Sequence, residues 1–353
     1  MTVAAHERDL DAVHAGLRDW IRARHPEADD VRLAPLRKAA SGYSSETLVV
    51  DVARTTRGRE AVDHWVARLP PAGGGIFPTY DLERQARVQE ALIRAGARAA
   101  MPVAVELDER WLGAPFLLME RVEGHTLPEQ PSYVAGGALF EAGPDTQRRV
   151  HTDFVDALAG VHRLDWDALH LDSLTPAAER GLVHDLRRAR EYLTWAADGD
   201  APAILTDALT WLGSTRPDPE PPLSLCWGDP RLGNVVFGDA FEQRALLDWE
   251  MASIGPAEMD LAWFVGLHEV TAAGAGRDLE GFLDHDAVLA RWADGVGRDP
   301  VDYGWFEVLS LVRSDSIFLR IRTMLLAAGL DEPWLRGVTP GQRRIAALIE
   351  ARP

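Results

Sequence analysis

Near residue 124 the apolar spacing of this 353-residue chain turns from strand runs mixed with helices to mainly helical, and that change limits the folds open to it. Before it, β-branched and apolar residues come in the short runs of strands, at 31–37, 47–52, 62–69, 103–107 and 115–119. Two helical repeats accompany them, one over 6–24 with Leu10, Val13, Leu17, Trp20 and Ile21 on one face, the other over 81–95 with Leu82, Val88, Ala91 and Leu92. Beyond residue 125 the repeat is helical over 146–163, 178–197, 202–212, 258–267, 285–292 and 305–327, interrupted only around 223–247. The expected architecture is therefore α+β: a small β-rich lobe over 1–119, a hinge at 120–124 (Glu120-Arg121-Val122-Glu123-Gly124) and a larger helical lobe over 125–353.

Length supports that division, because 353 residues exceed what one small core organises. No apolar run reaches the roughly 18–20 residues of a membrane span, and the first nine residues lack a secretory leader's basic and apolar regions, so a cytoplasmic location is expected. Cys226 is the only cysteine, which excludes an internal disulfide and a thiolate metal cluster. The net charge of −18 argues against a general nucleic-acid or anionic-membrane surface. Lys38 is the only lysine; 36 of the 37 basic residues are arginine, so lysine-dependent chemistry rests on Lys38 or is absent.

The interruption at 223–247 holds the chemistry. Asp229 precedes Asn234 by five residues, and Asp248 ends a second apolar run. Each aspartate follows an apolar segment, where a buried strand surfaces on a rigid scaffold. A carboxylate to take a hydroxyl proton and hard oxygens to hold Mg²⁺ are what phosphoryl transfer requires. Gly238-Asp239 also reads as the turn of an ordinary hairpin between short strands. Other chemistries find no support: there is no Gly-x-Ser-x-Gly elbow, no Gly-Lys-Ser/Thr follows Gly73, Gly74 and Gly75, and His151, His162 and His184 lack metal-ligand spacing and read as packing or surface residues. Trp195, Trp211, Trp263, Trp292 and Trp305 read as core, with lining an acceptor pocket as the second option for one of them.

In order and over nearly its whole length, the chain resembles the aminoglycoside phosphotransferase and choline kinase family, whose fold is that of the protein kinases. Trp227-Gly228-Asp229-Pro230-Arg231-Leu232-Gly233-Asn234 is similar to that family's His-Gly-Asp-x-x-x-x-Asn loop, and Leu247-Asp248-Trp249-Glu250 to its metal-binding segment. The resemblance implies an ATP- and Mg²⁺-dependent enzyme that phosphorylates an alcohol group of a small molecule. Asp229 and Arg231 are its catalytic residues, Asn234 and Asp248 its metal ligands, and Asp260 braces the loop. It also implies that Ser41, Gly42, Ser44 and Ser45 lie over the ATP phosphates, that Arg68 holds the third-strand lysine position facing Gln85, and that Glu120 and Val122 form the adenine-binding hinge. Local wording, such as Asp248-Trp249-Glu250-Met251-Ala252, is closest to a subgroup fused in other proteins to acyl-CoA dehydrogenase domains, which points to a hydroxyacyl thioester or another hydroxylated metabolite as acceptor. Three positions depart from the pattern: Trp227 stands in place of histidine, Arg68 of lysine and Gln85 of glutamate. They motivate a second reading, a catalytically silent nucleotide-binding or scaffold protein. A protein kinase is disfavoured, because no Ala-Pro-Glu segment follows Asp248.

Overall fold

The computed structural model describes residues 8–39, 44–330, 332 and 335–351. The chain divides into two compact units, one of residues 1–93 and 99–123, the other of 94–98 and 124–353. The first contains α1 (Leu10–Arg24), β1 (Asp30–Leu33), β2 (Arg37–Lys38), β3 (Glu46–Thr56), β4 (Arg59–Leu69), most of α2 (Leu82–Arg94), β5 (Pro102–Glu106) and β6 (Phe116–Glu120). Its sheet is antiparallel in the order β1-β3-β4-β6-β5, with β2 added to β3. Alternation decides which face is covered: Leu48, Val50 and Val52 of β3 and Trp65, Ala67 and Leu69 of β4 point to one side, where they are buried with Val13, Leu17, Trp20 and Ile21 of α1. The run expected at 31–37 is broken into β1 and β2, since Pro35 has no N–H to offer a ladder.

The second unit is built on α9 (Tyr303–Ala327), whose Trp305, Phe306, Val308, Leu309, Leu311 and Val312 are all buried. Packed against it are α5 (Leu182–Ala197), α6 (Ala203–Ser214), α7 (Glu258–Ala275) and α10 (Pro340–Glu350). After the short helix α3 (Ala138–Glu141), α4 (Pro144–His162) packs on α8 (His285–Val296). The interruption read from the sequence is two small sheets. β7 (Leu223–Cys226) pairs with β10 (Ser253–Pro256), and β8 (Val235–Phe237) pairs with β9 (Gln243–Leu246). The hairpin reading of Gly238-Asp239 is therefore correct, with Gly238 N donating to Glu242 O at 2.9 Å, and this hairpin lies between Asn234 and Asp248. The helix α10 was not expected from the sequence.

Asp315 of α9 faces the start of α10. It is 5 % exposed, Oδ1 accepts from Thr339 Oγ1 at 2.6 Å, and Oδ2 accepts no hydrogen bond among the described residues. Burial raises its carboxyl from 3.8 to about 6, only partly offset by the Thr339 hydroxyl. A carboxyl raised in the fold costs nothing below its unfolded value, and its penalty grows between the two values and is complete above the higher one. Asp315→Asn is thus expected to stabilise the protein at pH 7, on the order of 1–3 kcal/mol. That gain should shrink as pH falls below about 6 and disappear only well below the unfolded value of 3.8, where the parent carboxyl is protonated in both states. Thermal unfolding midpoints from acid pH below that value up to neutrality check this.

Candidate active site

β7 delivers the chain to a loop held from outside by one buried carboxylate. Asp260, 1 % exposed in the first turn of α7, accepts from Trp227 N at 2.5 Å through Oδ2 and from Gly228 N at 2.9 Å through Oδ1. A carboxylate is also favoured there by the helix dipole. Gly228 has φ +96°, and a Cβ at that position would lie 2.3 Å from Met251 O, so the turn admits only glycine. Behind Asp260, His162 at the end of α4 contacts Oδ2 through Nε2 at 3.2 Å, while its Nδ1 lies 2.9 Å from Trp292 Nε1. An indole N–H can only donate, so Nδ1 is the acceptor and the Nε2 proton points at Asp260.

The loop thus held presents Asp229. Its Oδ1 accepts from Trp263 Nε1 at 2.8 Å, and its Oδ2 from Arg231 Nε at 2.9 Å and Asn234 Nδ2 at 2.8 Å. Asn234 Nδ2 also reaches the Asp229 carbonyl at 2.9 Å. Arg231 extends on to Glu129 Oε1 at 2.9 Å. Burial works against the Arg231 charge, but the carboxylates of Asp229 and Glu129 more than offset it and raise its pKa further.

Asp248 comes to this group through the hairpin. Leu247 N donates to Asn234 O at 2.8 Å, which closes the base of the β8–β9 pair and sets Asn234 beside Asp248. Asp248 has φ +64°, a left-handed conformation uncommon for a residue with a side chain. Trp227, in place of the histidine of the resembled loop, donates from Nε1 to Leu247 O at 2.8 Å and stacks on Trp249 at 5.2 Å. The indole thus ties the Asp229 segment directly to the Asp248 segment. Because Asn234 commits its amide nitrogen to Asp229, its carbonyl oxygen remains as a hard ligand beside a carboxylate. No group of three or more His, Cys, Asp or Glu among the described residues could hold a metal. Two protein oxygens, completed by phosphate and water, are a donor set that suits Mg²⁺.

The first unit carries the remaining expected positions. Arg68 on β4 is in register with Thr47 on β3, which places Ser45, two residues back, on the same side. The guanidinium donates to Ser45 Oγ from Nε at 3.1 Å and from Nη2 at 2.9 Å. The contact expected with Gln85 is not made; Gln85 is 3 % exposed and belongs to the inward face of α2. Ser44 is half-buried just before Ser45, whereas Ser41 and Gly42 lie outside the described residues. Glu120 commits its N–H to Met101 O at 2.8 Å, because it ends a strand of the sheet. Val122, just past the strand, makes no backbone hydrogen bond among the described residues.

Residues 35–296 match the APH group, described as the Phosphotransferase enzyme family. The chain belongs to this phosphotransferase family. Among curated proteins it is similar to Acyl-CoA dehydrogenase family member 11 of Homo sapiens, 29 % identical over 208 residues that make up 57 % of this chain and 25 % of that protein. The Gallus gallus protein of the same name is 28 % identical over 232 residues, 65 % of this chain and 27 % of the other. The chain therefore spans about a quarter of the length of the curated relatives it matches. Among solved structures, a Ralstonia eutropha protein assigned to the aminoglycoside phosphotransferases covers 98 % of this chain and 97 % of its own, with a TM-score of 0.67 at 20 % identity. A choline/ethanolamine kinase family protein from Mesorhizobium loti covers 96 % and 95 %, with a TM-score of 0.55 at 16 % identity. The GDP complex of wild-type aminoglycoside 2'-phosphotransferase-IIIa covers 97 % and 98 %, with a TM-score of 0.53 at 14 % identity. The fold is the kinase-like α+β fold.

Three residues around the phosphotransferase loop escaped the sequence reading. His162, Trp263 and Trp292 read as packing residues, and all three are buried. Yet Trp263 bonds the Asp229 carboxylate, and the other two bond Asp260 or its partner. Their partners are 34, 98 and 130 residues away in the sequence, beyond the reach of any local pattern. No helix among the described residues is long and apolar enough to cross a membrane.

Proposed function

We propose that the protein transfers the γ-phosphate of ATP to a hydroxyl of a small molecule, with Mg²⁺ as cofactor and Asp229 as the base. The observation that carries this reading is the hydrogen bonding of Asp229. A carboxylate offers about four acceptor sites, and three are filled, two on Oδ2 and one on Oδ1. The remaining lone pair on Oδ1 receives the hydroxyl proton as the acceptor oxygen bonds to the γ-phosphorus and ADP departs. Arg231 and Trp263 fix the plane of the carboxylate during that transfer. Mg²⁺, when bound at Asn234 Oδ1 and Asp248, supplies positive charge that offsets the negative charge on the phosphates.

For the first unit, the reading assigns Ser44, Ser45 and Arg68 to the nucleotide phosphates and Val122 to the base of the nucleotide. Arginine at this position is compatible with phosphate, since a guanidinium can bind two oxygens at once. The acceptor we propose is a hydroxyacyl thioester or another hydroxylated metabolite, a reading supported by the likeness to acyl-CoA dehydrogenase family members. The test measures ADP release over a panel of hydroxyacyl thioesters, choline and aminoglycosides with ATP or GTP, beside thermal shifts with nucleotide plus Mg²⁺ against Mg²⁺ alone. Turnover of one acceptor class with a nucleotide-dependent shift is expected. A nucleotide shift without turnover of any acceptor establishes the silent nucleotide-binding alternative; neither shift nor turnover overturns both.

A further inference from the structure

Behind the proposed base lies a cation that the reaction as described does not use. Arg313 of α9 is half-buried, and its guanidinium carbon lies 5.3 Å from the ring centre of Trp263 on α7. Trp263 is the residue whose N–H bonds Asp229, so one indole separates the guanidinium from the carboxylate. Arg313 makes no ion pair or hydrogen bond to any described residue. Asp185 is close enough to feel its charge; its Oδ1 is held by Arg188 at 2.6 Å, and its Oδ2 accepts no hydrogen bond among the described residues. In a chain of net charge −18, a half-buried arginine that forms no ion pair among the described residues is a binding group for an anion that arrives from outside.

A second observation lies on the same stripe of α9. Arg320, seven residues on and therefore about 10 Å farther along the helix, stacks 4.7 Å over Trp195. Trp195 belongs to an open cavity of 760 Å³ whose lining includes Leu186, Leu209, Arg187, Arg190 and Arg216. Arg187 and Arg216 face glutamates, whereas Arg190 has no ion pair among the described residues. Cationic side chains over apolar floors thus recur along one face of the second unit.

We propose that the phosphate acceptor carries an oxyanion group, a carboxylate or a phosphate, which Arg313 holds while the hydroxyl of the same molecule lies against Asp229. Arg313 is then a specificity-determining residue: it favours anionic alcohols, leaves neutral ones without a partner and repels cationic ones such as aminoglycosides or choline. The inference rests on the phosphotransfer reading for its turnover arm but not for its binding arm.

The turnover arm compares kcat/KM for alcohols of similar size, namely 4-hydroxybutyrate, glycerol phosphate, 1,4-butanediol and 4-aminobutanol, in the parent, Arg313→Met and Arg313→Lys. Methionine keeps the packing over Trp263 without the charge, and lysine restores the charge without the fork. A preference for one of the two anions is expected in the parent, and which one distinguishes carboxylate from phosphate. The ratio of anionic to neutral kcat/KM should fall at least tenfold in Arg313→Met and recover partly in Arg313→Lys. A parent that prefers the neutral or cationic alcohol, or a ratio unchanged in Arg313→Met, overturns the proposal. The binding arm follows the thermal midpoint under a sulfate titration without nucleotide. A saturable upward shift in the parent, at least halved in Arg313→Met, supports the site even where no alcohol is turned over; identical titration curves overturn it.

Discussion

Asp229→Asn is expected to lower the turnover of whichever alcohol the protein phosphorylates by on the order of 10²–10⁴-fold while leaving nucleotide binding in place. The substitution keeps the size and planarity of the side chain, and with its amide oxygen at the Oδ2 position it still accepts from Arg231 and Asn234, while its N–H₂ faces the Trp263 N–H at a modest cost in stability. What disappears is the basic lone pair on Oδ1, since an amide oxygen does not take a hydroxyl proton at neutral pH. The KM for nucleotide should change little, because no contact of Asp229 described above is with the residues assigned to nucleotide. Single-turnover measurement with saturating ATP and Mg²⁺ separates the chemical step from product release. A rate within about threefold of the parent, far inside the 10²-fold lower bound for a general base, would falsify the assignment.

Asp260→Ala is expected to be the most destabilising single change in the second unit. It removes the acceptor of two backbone N–H groups, Trp227 N and Gly228 N, and of the Nε2 proton of His162, all where solvent cannot replace it. Stranding the partners of a buried charge costs about 3–5 kcal/mol. Asp260→Asn keeps the volume but loses the charge and offers an N–H₂ where only acceptors fit, so it should recover less than half of that loss. Chemical denaturation of both variants, monitored by near-ultraviolet circular dichroism, gives the comparison. An Asp260→Ala midpoint equal to the parent's would show that the carboxylate does not brace the loop. Turnover should fall with stability, because the same two N–H groups fix the backbone that carries Asp229.

Much of this molecule is legible along the chain, and the reasons differ by element. The strands of the first sheet declare themselves because a period of two exposes one face and buries the other, as Leu48, Val50 and Val52 show. Asp229, Asn234 and Asp248 stand out because the loop and hairpin that gather them are local, with only 19 residues from first to last. What the sequence hides is long-range pairing. Nothing near residues 223–226 says that β7 will choose β10 over the nearer β8, and nothing around Arg68 says that Ser45 will reach it before Gln85. Arg313 is hidden for the opposite reason: it forms no ion pair among the described residues, and the sequence does not show which of its 36 arginines do.

The tie that Trp227 makes to Leu247 sets a condition on how the site responds to acidity. An imidazole at that position gains a proton near neutrality and changes from acceptor to donor as it does so. An indole N–H neither gains nor loses a proton in that range, so the Leu247 carbonyl keeps the same donor at pH 5 as at pH 8. The link between the segment bearing Asp229 and the segment bearing Asp248 is therefore insensitive to acidification, a permanent clasp where a histidine would make a titratable one.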